Sequence, residues 1–499
     1  MKIFNFSPSA KATEDKQSSI FNKKNTSSES GSILIYNIVI IFIFSLVMIG
    51  ALGYAAAQMR LTRSTIQKEM AFEVAEAGVN YYQWHLAHFS TDYWDGQGSS
   101  TSGPYVHEYF DKDTGQKIGE FSLKITPPYT GSTVVTIEST GFAAANPNNK
   151  RKITVRYGIP SLARYAFLTN SDVWIGDTES VSGEMHANGG IHFDGTGNAA
   201  ITSAKSNLPP GPGYRCYYYH GCNYLYQNKP GIWGAAGQAT RNFWRMSAST
   251  ISFTGFTANF QDIETDATEI NLPPSNAQGY SLVFKNDGTV DIYKVTSLTS
   301  EPTGWDVNGA AHNEDLTYNQ RALLYNKPIP ENGLIFIKDR FVWVEGTVKG
   351  RALVAVTKYS TDSGSQGNIL IPNNILYAAK DGTNVLGLIA EKDILATYNS
   401  PTNLEIDAAL VAQKGSIQHY NYAPSTSGCP VPVNVKNSIT IYGTIASFGV
   451  WTWSWLCGND IISGYRNTNT TYDSSLLYAP PPSFPLTNDG YQQISWSSN

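Results

Sequence analysis

The chain has 499 residues, enough for two or three domains and a sizeable core. Its net charge of −5, with only 15% charged residues, excludes a nucleic-acid partner recruited by a basic surface. Abundant Gly (43) and Tyr (30) point to strands and turns rather than a helical bundle.

Residues 1–30 read as a polar N-terminal tail or leader. ILIYNIVIIFIFSLVMIGALGYAAA then runs from Ile33 to Ala57 without a charge, and about 20 apolar residues span a bilayer. A secretory signal peptide has a shorter apolar core, so Ala55–Ala57 as a cleavage site is the lesser reading. Lys2, Lys11, Lys16, Lys23 and Lys24 precede the span, against Arg60, Arg63 and Lys68 after it. This bias predicts a cytoplasmic N-terminus and an exported remainder.

Neither Gly nor Pro interrupts the chain between Tyr54 and Gly78. Ile66, Met70, Val74, Ala77 and Tyr81 fall at helical spacing as an apolar stripe, beside an acidic ridge of Glu69, Glu73 and Glu76. The membrane helix is therefore expected to continue outward, within residues 31–98, as a rod of about 50 residues, roughly 75 Å long. Residues 99–160 supply a partner for the stripe. EFSLKIT (120–126), TVVTIEST (133–140) and KITVRYG (152–158) alternate apolar and polar residues, predicting three antiparallel strands packed on the helix.

Two short patterns in this region carry a resemblance. Gly31, Ser32 and Leu34 form a G-S-x-L start, and Ala71, Phe72, Ala75, Glu76 and Ala77 form an A-F-x-x-A-E-A box. Together they resemble the N-terminal region of PilX-type minor pilins and pilus-assembly proteins. The resemblance implies prepilin processing between Gly31 and Ser32, and partners that are other pilin-like subunits or the pilus assembly machinery. Tyr36 stands where major pilins carry a glutamate, five residues after the cleavage glycine.

Residues 161–330 form a first β-rich part containing PPGPGYRCYYYHGCNYLYQNKPGIWG. Tyr217, Tyr218, Tyr219, Tyr224 and Tyr226 in that loop are candidate surface-binding aromatics, suited to stacking on a surface polysaccharide or filling another protein's groove. Capping the end of a solenoid is the plainer role. Residues 331–499 carry short apolar runs such as ALVAV (352–356), LGLIA (386–390) and ALVAQ (409–413), punctuated by Gly, Asn and Asp. Such runs suit the rungs of a β-solenoid, here ending in a Pro-rich tail. Gly346, Gly350 and Arg351, then Leu386 to Ala390 with Asp393 and Ile394, resemble an uncharacterised bacterial domain of β-helix type that has no assigned activity.

Four cysteines allow three pairings. Proximity favours Cys216–Cys222 and Cys429–Cys457 as disulfides, with free thiols or metal ligation as alternatives. Trp451, Trp453 and Trp455 alternate, predicting one strand face buried under the second loop. Asp172, Asp177, Glu179, Glu184 and Asp194 are the candidate carboxylates for polysaccharide cleavage, and Glu184, His186 and His192 the candidate metal ligands. Solvated turn positions explain them more simply, and no P-loop, G-x-S-x-G or H-E-x-x-H motif is present.

The expected fold is mainly β with one long N-terminal transmembrane helix: a pilin-like helix-on-sheet stalk plus a right-handed β-helix or solenoid-like domain. The expected function is that of a non-enzymatic cell-surface protein of a bacterial cytoplasmic membrane, without catalytic residues, cofactor or metal. It would serve as a pilin-like or assembly component of a type IV pilus or related filament, with adhesion as a further role. A membrane-anchored carbohydrate-active enzyme and a plain surface scaffold are the alternatives.

Overall fold

One helix, Ser30–His88, opens the computed structural model, which describes residues 30–99, 103–129, 131–209, 211–212, 224–225, 228–359, 365–423, 429–458, 460–487 and 490–498. Among the described residues, those up to Glu69 form one unit and those from Met70 onward another. The first contains a stretch long and apolar enough to cross a membrane, and its large side chains from Ile33 to Leu61 are exposed. The helix stops at His88, short of the expected 98. Asp92 accepts hydrogen bonds from the Trp94 and Gly96 N–H groups (2.9 and 2.8 Å), a local turn that competes with further helix.

The second unit holds two sheet systems. Tyr105–Phe110, Lys117–Thr126, Val135–Ala143 and Asn146–Gly158 form an antiparallel meander. Val135–Ala143 alternates strictly between buried and half-buried positions, as expected of a sheet with one covered face. The expected three strands are thus four, and a fifth arrives from the far end of the chain. Gln492–Ser498 pairs antiparallel with Asn146–Gly158, so the closing residues belong to this sheet and are not a tail of the larger part. An exposed Asn146–Gly158 edge would otherwise be left unpaired.

The larger part is a stack of parallel ladders. Leu334–Lys338, Arg351–Thr357, Val385–Ala390, Asn403–Ala412 and Val435–Ser447 pair in that order. Tyr165–Thr169 then pairs with Val435–Ser447, and Glu184–Ala187 with Tyr165–Thr169. At the other end Ile270–Leu272 pairs with Leu334–Lys338. The expected boundary at 330/331 therefore does not divide two bodies, because residues from both sides share one hydrogen-bonded sheet.

In-register residues explain the stack. Ile270, Ile335, Val354, Leu388, Leu410, Ile445, Phe167, Met185 and Ile201 are successive partners, and all are buried. Each such side chain stabilises the fold by about 1.5–3 kcal/mol relative to exposure. The opposite faces of several of these strands are also covered. Phe336, Leu353, Ala355, Ile389 and Val411 join Phe260 and Ile263 of helix Thr254–Asp266 in a second cluster. Burial on both faces is why these strands read as continuous apolar runs rather than alternating ones.

Arg351 ties the two sheet systems together. Its guanidinium donates to the carbonyls of Gly131 (2.9 Å), Ala479 (2.7 Å), Pro480 (2.6 Å) and Gly382 (3.1 Å). Gly131 lies in the loop between two meander strands, and the other three carbonyls belong to the larger part.

Candidate functional site: the helix seat and a tryptophan-lined cleft

The A-F-x-x-A-E-A box sits on the antiparallel sheet by its small residues. Ala71, Val74, Ala75, Val79, Tyr82 and Leu86 are buried, whereas Met70, Ala77 and Tyr81 are only partly so and Ile66 is 52% exposed. The buried face is rotated by about one residue from the expected stripe. Close approach of backbones decides this. A Cβ on Gly141 would overlap the Ala71 carbonyl oxygen and the Ala75 nitrogen, and would lie 3.0 Å from Ala75 Cα. A Cβ on Gly78 would overlap Ser139 Oγ and lie 2.8 Å from the Phe121 ring. Helix and sheet thus meet where neither presents bulk, and the larger side chains flank the contact. Phe72, half-buried, meets Trp496 of the C-terminal strand edge to face at 6.0 Å, and Glu76 is exposed.

The helix end is tied down by polar contacts. The Tyr81 hydroxyl donates to Asp95 (3.0 Å), His107 Nε2 bonds the same carboxylate (2.7 Å), and His85 Nε2 bonds Asp92 (3.0 Å). Burial, helped by the nearby Asp95 charge, pushes the Tyr81 hydroxyl up to about 12. Gly31 and Ser32 lie in the first turn of the helix.

Cys429 and Cys457 are joined by a disulfide, Cα to Cα 5.5 Å. Cys216, Cys222, Tyr217, Tyr218, Tyr219 and Tyr226 lie outside the described residues. Tyr224 falls in a two-residue strand, Tyr224–Leu225, paired with Gly211–Pro212. Trp451, Trp453 and Trp455 do not share one strand face: only Trp455 lies within the strand Ser454–Cys457. Trp451 and Trp453 are buried in the main core, while Trp455 packs beside Cys457 and Ile462.

Three of the candidate carboxylates share a cleft with two of those tryptophans. Asp172, Asp177, Glu179 and Trp174 line a cleft of about 500 Å³ together with Trp451 and Trp455. Stacking of Tyr165–Thr169 beside Val435–Ser447 brings the two segments together. The Gly190 N–H donates to Asp172 Oδ1 (2.7 Å) and the Gly176 N–H to Glu179 Oε2 (3.0 Å). Glu179 retains some exposure, yet burial of its carboxyl, reinforced by the Asp177 charge, pushes it up to about 8. Nothing in the linear sequence pairs these two segments; the tryptophan triplet is the one visible signal.

The remaining candidates go elsewhere. Glu184 accepts from Arg164 (3.2 Å). His186 bonds Thr202 and Asn188 (2.8 and 3.1 Å), and burial lowers its pKa. His192 lies between Trp174 and Trp233 on neighbouring parallel strands, with Asp194 at 3.0 Å, and desolvation lowers its pKa. Glu184, His186 and His192 therefore do not converge, and no group of three or more His, Cys, Asp or Glu among the described residues is placed to hold a metal ion.

No family model and no curated protein matches the chain. Among solved structures, the competence-associated pilin ComZ from Thermus thermophilus is similar at 13% identity, over 87% of this chain and 98% of that one, with a TM-score of 0.28. A likeness at that score carries no argument.

Proposed function

We propose that this protein is a non-catalytic, membrane-anchored, pilin-like component of a type IV pilus or related filament system, of PilX type. Its N-terminus would be cytoplasmic and its sheets exported, with the parallel ladders forming a right-handed β-solenoid that is presented outside and contributes to adhesion. One observation carries the reading: an uninterrupted helix, apolar enough at its start to cross a membrane, ends in a small-residue face seated on an antiparallel sheet. The G-S-x-L start and the alanine box support the same assignment. A rod of this kind supplies packing surface for neighbouring rods, and no reaction is needed for it to act.

The test is the N-terminal sequence of the mature protein from native membranes, combined with in vivo cross-linking from the helix. A start at Ser32 and cross-links to pilin-like subunits are expected. An intact Met1 with no cross-link to any filament or assembly protein would overturn the proposal.

A further inference from the structure

The cleft lined by Trp174, Glu179 and Trp451 plays no part in the filament reading, and a ligand bound there would be independent of filament membership. We propose that this cleft binds a neutral or amino-bearing saccharide. Its volume of about 500 Å³ lies in the range of small-molecule sites, about 300–1,000 Å³. Its lining combines the two kinds of surface that a sugar presents: aromatic faces for C–H groups and acceptors for hydroxyls.

On the apolar side, Trp174 lines the cleft with 38% of its surface exposed. Trp455 also lines it, held in place by its Nε1–H donating to the His419 carbonyl at 2.7 Å. Trp451 is only 5% exposed, and its Nε1 has no hydrogen-bond partner among the described residues.

On the polar side, Asp172 and Glu179 are each fixed by a backbone N–H on one oxygen. Acceptors held rigid in this way lose little freedom on binding. With its carboxyl raised to about 8 by burial, Glu179 keeps its proton near neutrality and donates as well as accepts. With Glu179 neutral, the charged groups of the lining are the carboxylates Asp172 and Asp177 and a single lysine, Lys205. That balance repels uronic acids and phosphorylated sugars and tolerates an ammonium group.

The full chain, reconstituted in lipid nanodiscs because sugar-headed detergents would compete, is titrated calorimetrically with tetrasaccharides of β-linked glucosamine, β-linked N-acetylglucosamine and α-linked galacturonic acid. Saturable binding of either of the first two is expected, with none of the third. Trp174→Ala should weaken binding about tenfold or more while still unfolding cooperatively, and Trp174→Phe should restore most of the binding. No saturation by either of the first two up to about 5 mM, equal binding by Trp174→Ala, or equal binding of the galacturonate would each overturn the proposal. Filament assembly can fail in the same strain without altering any of these readings.

Discussion

Gln492 is the antiparallel partner of Gly158, and the Ser497 hydroxyl reaches the Thr154 carbonyl across 343 residues of sequence. The whole ladder stack is therefore an insertion between the last two strands of the helix-seating sheet. Because the two residues are cross-strand partners, a two-residue Asn-Gly turn is long enough to join them directly.

A chain with Gly158 joined to Gln492 through Asn-Gly, starting at Met70, is expected to fold as the five-stranded sheet with its helix. It forfeits the bonds from Thr133 to the Ile159 and Tyr478 carbonyls and from Arg351 to Gly131, so it should be less stable than the parent. Cooperative thermal unfolding with slowed amide exchange at Ile137 and Val155 would bear this out. A chain with no cooperative transition would show that the inserted part is required for the sheet.

Gly141 and Gly78 separate two kinds of crowding. The extra methyl of Gly141→Ala collides with helix backbone, which cannot move alone, whereas that of Gly78→Ala meets the Ser139 and Phe121 side chains. Gly141→Ala should therefore destabilise by about 3 kcal/mol and Gly78→Ala by about 1–2 kcal/mol, both within the usual range for overpacking. Melting temperatures of the two variants check the order, and equal values would remove the backbone-contact argument.

Much of the fold is legible in residues alone, for definable reasons. The apolar span, the alanine box and three of the meander strands announce themselves by local periodicity. The helix stripe read from spacing is off by one position because the determinant of the buried face, Gly141, lies in a strand and not in the helix. The C-terminal strand is hidden because Gln492–Ser498 alternates only around Ile494 and Trp496, and its partner is remote. Runs such as Val385–Ala390 are legible as buried strands, yet their order is not. No sequence period tells Phe167 to follow Ile445. The cleft depends on that out-of-order stacking, so only its separate pieces are visible in the sequence.

The register ladder predicts where truncation costs most. Leu410 lies between Leu388 and Ile445 and is fully buried, so Leu410→Ala should cost about 2–5 kcal/mol through lost transfer energy and a cavity. Val431, 77% exposed, should tolerate alanine within about 0.5 kcal/mol. Denaturant midpoints of the two variants check the contrast.

His312 gives stability a pH dependence of defined sign. Its Nε2 bonds Asp306 (3.1 Å) and its Nδ1 faces Glu314 (3.4 Å), while the ring stacks on Tyr420 at 4.7 Å. The bonds to these two carboxylates raise its pKa to about 9 in the folded chain, above the unfolded value of about 6.5. The folded state then binds the proton more tightly, so the contribution is complete below about pH 6.5 and is lost as pH rises through about 9. Its size is on the order of 3 kcal/mol. Glu179, raised to about 8, tilts the wild type in the same direction, so the assignment rests on the difference between wild type and His312→Asn. That difference should be largest near pH 6 and shrink toward zero by about pH 10. Buried His419, held neutral down to about pH 3 by desolvation, makes the wild type less stable below about pH 6.5 but cancels in the comparison. Urea unfolding of both proteins across this range decides the matter, since a pH-independent difference would mean that His312 acts through packing on Tyr420 alone.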